Sequence, residues 1–245
     1  KPFIAVNHLE GHALSPKLNF NIKYPYLLFL ISGGHTQYLT VKKLGDYKRL
    51  GTTIDDALGE AFDKTAKLLN LGYPGGPKIE ELARNGDENR FVLPKPILNR
   101  GGSNLSFAGL KTAILRIKEF IKTDKDKNDL AASFQKTVLD ILYKKTKKAI
   151  EQHLELYPKN RNFVVAGGVA ANKQIRITLK RLCQEEKFKV YFPDLKLCTD
   201  NAAMIALAGL ERYKKKKFDK HNFEANPRWQ LDNKAKFLKG AGVKI

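Results

Sequence analysis

An α/β layered fold is predicted by three features of the sequence: short apolar runs of strand length, longer stretches with a helical period between them, and glycine turns at the junctions. Residues 2–7 form a short apolar run ending at Asn7 that reads as a buried strand, and His8 to about Leu14 reads as a helix that Pro16 stops. Tyr26 to Ile31 is a continuous apolar run, broken by Ser32-Gly33-Gly34-His35-Thr36 and resumed from Gln37 to Val41: two strands joined by a glycine turn. Thr53 to Leu71 carries Leu58, Ala61, Phe62 and Leu69 on one side and Asp56, Glu60, Asp63 and Lys67 on the other, a helical period ended by Gly72. Residues 74–105, rich in proline, glycine and asparagine, read as a long irregular stretch of the kind that often carries function. A helix follows Ser106. Asn128 is the expected cap of a long amphipathic helix through Leu130, Phe134, Val138, Ile141 and Leu142 toward His153, with its lysines facing solvent. Phe163 to Ala166, Gly167-Gly168 and Ala170 to Glu186 read as strand, glycine turn and helix, and Val190-Tyr191-Phe192 as a further strand. Thr199-Asp200-Asn201 precedes a helix of small residues from Ala202 to Gly209, with Asp200 either its N-cap or a carboxylate at the edge of a site. From Lys214 the chain reads as peripheral.

The 245 residues, 42% of them hydrophobic, suffice for a substantial core. No apolar run approaches the ~20 residues that span a bilayer, and the first residues lack the layout of a secretory signal, so the chain is placed in the cytoplasm with no membrane partner. Cys183 and Cys198 are far apart and form no CxxC, which indicates neither a disulfide framework nor a zinc knuckle; both are expected reduced and buried. Lys+Arg number 45 against 25 Asp+Glu, a net charge of +20, which makes RNA the first candidate among polyanionic partners. The same composition also suits a merely soluble surface, and Lys144-Lys145, Lys147-Lys148 and Lys214 to Lys217 read as solvated helix faces.

His8 and His12 stand four apart in His8-Leu9-Glu10-Gly11-His12, so on a helix their imidazoles share a face and can bind one metal ion. Spacing alone equally suits two histidines that happen to lie close. The spacing also occurs in the HExxH helix of zinc proteases, where the general-base glutamate directly follows the first histidine, but that position here is Leu9. Glu10 lies about 200° around the helix from His8, away from the shared face, which makes peptide hydrolysis a minor reading. Ser32-Gly33-Gly34 and Gly167-Gly168 follow strands and offer bare backbone N–H groups to a phosphate or nucleoside, or else are simply tight turns. Asp56, Glu60 and Asp63 form an acidic stripe with favourable Glu60–Lys64 and Asp63–Lys67 pairings, and the residues alone do not assign it a role.

The segments Asn7 to His12, Ser32 to Gln37, Asp55 to Lys64, Tyr73 to Pro77, Ser106 to Thr112, Ala166 to Asn172 and Thr199 to Asn201 together resemble, in order, the signature segments of the TsaD family of tRNA N6-adenosine threonylcarbamoyltransferases, formerly described as O-sialoglycoprotein endopeptidases. The resemblance covers nearly the whole chain. It implies an actin-like ATPase (ribonuclease H-like) fold of two lobes with substrate bound between them. It implies metal ligation by His8, His12 and Asp200, by one divalent ion per subunit, iron (Fe2+) ahead of zinc. It also implies substrate contacts from Leu30, Ile31, Ser32, Gly33, Gly34, Asp63, Gly76 and Asn172, leaving Asp56 and Glu60 unassigned. The implied reaction passes the threonylcarbamoyl group of threonylcarbamoyl-AMP to N6 of the adenosine 3′ of the anticodon in tRNAs reading ANN codons (t6A formation). The implied partners are tRNA, that adenylate or an ATP/ADP-like nucleotide, an inactive paralogue and a small ATPase (TsaB- and TsaE-like), and a separate synthase that makes the adenylate. In the family the histidine motif follows an N-terminal segment of ~100 residues with the first phosphate loop, whereas here it begins at position 8. Residues 1–20 are therefore expected to be the remnant of the N-terminal lobe carrying the histidine motif, and residues 21–245 the C-terminal lobe. An inactive fragment that only binds tRNA or partner subunits is the alternative on that ground, with an ATPase or kinase of the same fold behind it.

Overall fold

The computed structural model describes residues 1–236, so the last residues of the expected 21–245 lobe lie outside the described residues. Five strands form one mixed sheet in the order β3-β2-β1-β4-β5. They are β1 (Tyr26–Ile31), β2 (Thr36–Lys43), β3 (Asp46–Thr52), β4 (Asn162–Ala166) and β5 (Lys189–Tyr191). β1, β2 and β3 pair antiparallel, whereas β1, β4 and β5 run parallel. The central strand β1 is buried at every position, as its unbroken apolar sequence requires of a strand covered on both faces. Its alternation divides two cores. Leu27, Phe29 and Ile31 join the larger one, while Tyr26, Leu28 and Leu30 face the smaller one with Leu9 and Ala13.

Helices cover both faces: α1 (His8–Leu14), α2 (Leu58–Leu68), α3 (Gly75–Ala83), α4 (Ala108–Ile117), α5 (Asp124–Leu156), α6 (Lys173–Glu185) and α7 (Ala202–Lys214). The larger core draws on α2, α4, α5 and α6 through Phe62, Leu110, Phe134 and Leu179. α1 packs on the opposite face, beside α7.

Six expectations from the sequence need correction. Residues 2–7 form no strand: Phe3 makes an isolated bridge to Asp219, and the N–H of Ala5 donates to the Asp219 carboxylate, so no ladder runs alongside. The helix expected from Thr53 begins at Leu58, because Thr53 still bonds the sheet at Thr36 and the Asp55 carboxylate accepts the N–H groups of Phe107 and Ala108 at the start of α4. The irregular stretch contains α3, with which its prolines are compatible: Pro74 precedes the helix and Pro77 sits in its first turn, where an absent N–H costs nothing. β3 was not anticipated because it is an edge strand with only Tyr47 and Gly51 buried. The long helix is capped by Thr123, reciprocally with Asp126, and Asn128 lies inside it. Its lysines do not all face solvent: Lys145 is buried, and its ammonium donates to the carbonyls of Arg100 (2.8 Å) and Gly102 (3.2 Å). Cys183 and Cys198 are free and buried, as expected.

His153 ties α5 to the sheet. Nδ1 lies 2.9 Å from Thr40 Oγ1 and Nε2 lies 3.1 Å from Asn160 Oδ1, whose amide nitrogen donates to the Pro25 carbonyl. An amide oxygen only accepts, so Nε2 carries a proton, and in the neutral imidazole Nδ1 accepts from the threonine hydroxyl. Burial is the main cause that keeps its pKa below the ordinary value, with Arg161 adding to the effect and the Asn160 bond opposing it. In the unfolded chain His153 takes up a proton near pH 6.5, whereas in the folded chain it resists, so stability falls as pH drops below that value. We expect the loss in urea midpoint between pH 8 and pH 5.5 to shrink in His153→Gln, although that variant is less stable at pH 8. An equal loss in both proteins would contradict this.

Candidate metal centre

The site is built at the start of α1. Asn7 is extended and caps the helix, its Oδ1 accepting from Leu9 N at 2.9 Å, while its amide donates to the Trp229 carbonyl at 2.8 Å. One helical turn brings His8 and His12 together, with ring centroids 4.9 Å apart and edge to face. The third arm is Asp200, which precedes α7. Asn201 is the N-cap of that helix, bonding Met204 N at 2.9 Å, so the capping role considered for Asp200 belongs to its neighbour and Asp200 is released toward the histidines. Asp200 Oδ1 lies 3.3 Å from His8 Nε2 and 2.9 Å from His12 Nε2.

These three side chains offer one ligand atom each, all within 4.8 Å of one another. His12 is buried, whereas His8 and Asp200 are exposed, so the cluster has a closed inner wall and an open outer side. Burial first, then the neighbouring His8, lowers the His12 pKa against the opposing pull of Asp200, which favours the neutral imidazole that ligates metals. The donor set of two imidazole nitrogens and one carboxylate oxygen with an open side fits a divalent transition metal.

His8 opens onto a cleft of about 780 Å³ whose walls include Gly34, His35, Gln37, Asp55, Glu60 and Trp229. The cleft lies where β1 ends. The Ser32 N–H donates to the His35 carbonyl at 2.8 Å and Ser32 Oγ accepts from His35 N at 3.1 Å, which closes the turn and leaves Gly33 and Gly34 exposed with nothing above them. The Ser32 carbonyl accepts from Gly59 N at 3.3 Å and seats α2 beneath the turn, where a Cβ on Gly59 would stand 2.8 Å from Gly33 Cα. The second glycine turn leaves the adjacent parallel strand β4. Gly167 has φ 99° and ψ 168°, and a Cβ there would stand 2.3 Å from the Ile31 carbonyl oxygen. Both turns therefore meet at the carboxyl ends of parallel strands, where ligands gather in open α/β sheets.

The sequence-expected residues thus fall into two groups. His8, His12 and Asp200 form the cluster, and Gly34 reaches the cleft beside it. Asp63, Gly76 and Asn172 do not line that cleft but sit at the N-termini of α3 and α6. Asp63 accepts from Gly75 N at 2.7 Å, Asn172 caps α6 through Ile175 N at 2.9 Å, and Glu80 on α3 accepts from Lys173 N at 2.8 Å. Leu30 and Ile31 are fully buried in β1, backbone included. In the acidic stripe the expected Glu60–Lys64 pair forms at 2.7 Å, with Lys64 also meeting Asp56 at 2.7 Å, whereas Asp63 serves α3. Among the wall residues that the sequence did not mark as site residues are His35 and Trp229. His35 stands at the cleft with a pKa lowered by desolvation, then by His8 and His12; its place directly after a glycine turn was the available signal. Trp229, the sole tryptophan, lies in the part of the chain read as peripheral.

The family model for TsaD, tRNA N6-adenosine threonylcarbamoyltransferase, matches residues 1–207. A protein of that name from Pelagibacter ubique (strain HTCC1062) is 65% identical over all of this chain and 69% of its own length. Those from Rickettsia rickettsii (strain Sheila Smith) and Ruegeria sp. (strain TM1040) are 52% and 51% identical over 95% and 99% of the chain and 69% and 68% of their own lengths. Among solved structures, full-length HypF in its phosphate- and nucleotide-bound form superposes with a TM-score of 0.62 at 14% identity, over 87% of this chain and 36% of HypF. That likeness gives the fold, the actin-like ATPase architecture.

Gly167 has a backbone conformation nearly confined to glycine, so Gly167→Ala should destabilise by about 1–3 kcal/mol from backbone strain alone, before the clash with Ile31. Gly168→Ala, where a Cβ meets nothing, should cost far less. Urea titration of the two variants decides it, and equal midpoints would refute the stacked-turn account.

Proposed function

Since the chain belongs to the TsaD family of tRNA N6-adenosine threonylcarbamoyltransferases, acyltransferases of t6A formation, we propose that it transfers the threonylcarbamoyl group of threonylcarbamoyl-AMP to N6 of the adenosine 3′ of the anticodon in tRNAs reading ANN codons, with one divalent ion on His8, His12 and Asp200. The observation that carries the reading is the convergence of those three donors within 4.8 Å of one another, with His8 opening onto the cleft that Gly34 also lines. Iron is the first choice of ion and zinc the second.

The transfer forms a bond between N6 and the carbamoyl carbon, breaks the bond to the AMP phosphate oxygen, and releases a proton from N6. An exocyclic adenine amine is a weak nucleophile because its lone pair is delocalised into the ring, so orientation of donor and acceptor contributes much of the rate. When bound, the ion supplies Lewis acidity that stabilises negative charge on the donor oxygens. The chain's own part is positional. Gly33 and Gly34 offer unobstructed backbone to a phosphate, the buried His12 fixes the inner wall, and the cleft admits an unpaired loop base without duplex opening. The net charge of +20 suits the phosphates around that base, and a tRNA substrate with TsaB- and TsaE-like partners agrees with a cytoplasmic setting. Among the described residues no helix is long and apolar enough to cross a membrane.

We expect His12→Ala to lose bound metal, measured by elemental analysis, and to lower transfer of labelled threonylcarbamoyl to tRNA by more than about 100-fold, the upper end for residues merely adjacent to ligands. The assay supplies threonylcarbamoyl-AMP, tRNA and the partner subunits. Retention of both metal and transfer would overturn the ligand assignment.

A further inference from the structure

Glu10 lies between the two histidines in sequence yet is wholly buried on the other side of α1. Its Oε2 meets Arg212 Nε of α7 at 2.6 Å, and its Oε1 accepts from the Tyr47 hydroxyl of β3 at 2.7 Å. Tyr24 and Tyr26 also lie close enough to feel its charge. Arg212 in turn stands over the Trp229 ring, 5.9 Å from its centroid, and the Trp229 carbonyl accepts from Asn7, the cap of α1. Next along α1, Gly11 lets α7 approach closely: a Cβ there would stand 3.0 Å from Ile205 Cδ1 and 3.3 Å from Met204 Cγ.

α1 carries His8 and His12, and α7 begins two residues after Asp200, so the separation of these two helices is also the separation of the imidazoles from the carboxylate. A buried ion pair is a poor source of net stability compared with apolar residues of the same shape, but it fixes one geometry because leaving either charge unpaired is so costly. We infer that Glu10 and Arg212 are positioning residues: a buried clamp that, with the glycine at position 11, sets the α1–α7 spacing at which a divalent ion is bound. This inference rests on the metal reading proposed above.

The test measures metal affinity, with Zn2+ as the probe in competition with a chromophoric chelator, under conditions where circular dichroism shows each variant folded. Glu10→Gln combined with Arg212→Met keeps the volume and leaves no unpaired charge. It should weaken Zn2+ binding by about 10–100-fold, the range for residues that orient metal ligands. Gly11→Ala, which favours the isolated helix but crowds the Met204 and Ile205 side chains by a few tenths of an ångström, should weaken it in the same direction by a smaller factor without touching any charge. Tyr47→Phe removes a hydrogen bond from the same carboxylate but none between the helices, and should lower thermal stability while leaving Zn2+ affinity unchanged. Wild-type affinity in both the double variant and Gly11→Ala would overturn the clamp, as would an equal loss in Tyr47→Phe, which would mark a general effect of stability. If the double variant does not fold, Gly11→Ala against Tyr47→Phe decides alone. Failure of the wild-type protein itself to bind Zn2+ or Fe2+ would instead refute the metal reading.

Discussion

The carbonyl oxygen of Ile31 occupies the space a side chain at position 167 would need, and that close approach organises the molecule. It registers the ends of β1 and β4 and stacks their glycine turns. Because β1 is buried on both faces and also pairs with β2, its exit direction is fixed by two cores and two neighbouring strands together. Gly59 extends the constraint to α2, whose first turn fits beneath Gly33 only without a Cβ. The glycines therefore do two jobs that pure turn chemistry would not require. Gly59 and Gly167 permit contact between backbones, whereas Gly33 and Gly34 leave backbone uncovered.

Much of this was legible. The apolar run of β1, the helical period of α2 and the strand–glycine–helix unit from Phe163 follow from local pattern, which is strongest where one face is buried throughout. The errors share a cause. Residues 2–7 are apolar enough for a strand, but a strand needs a partner ladder, and no local feature of the chain reports one. α3 begins Gly-Gly-Pro, which is turn chemistry in isolation and helix-compatible only because the first turn needs no donors. Lys145 counts toward the net charge yet lies buried on two carbonyls, so composition does not locate charge.

For the site, helical spacing supplied the histidine pair but left it indistinguishable from coincidence. What spacing cannot state is the placement of Asp200, 188 residues from His12 in the chain. That placement depends on Asn201 taking the capping role and on α7 lying close to α1, both tertiary outcomes. Glu10 shows the converse. Its angular position excluded it from the metal face, and the fold uses it on the opposite side, against Arg212 and Tyr47. The reading of a protease base on this helix thus finds no available carboxylate.

The carboxylates near the cleft differ in what balances them, and the difference bears on the proposed metal site. Asp55 accepts from Ser106 and from two backbone N–H groups; Asp56 and Glu60 share Lys64; Asp63 accepts from Gly75 N; Asp232 accepts from the backbone of Arg49 and Lys234. Each is stabilised by a helix start, a turn or a cation. Asp200 alone among these faces two imidazoles, one of them held toward its neutral form by burial. Two neutral rings donate at most two hydrogen bonds and no full charge, and like charge would separate them if both were protonated. On the proposed metal reading, a cation between the three donors would accept both imidazole lone pairs and sit against the carboxylate, with the exposed His8 and Asp200 leaving its outer side open.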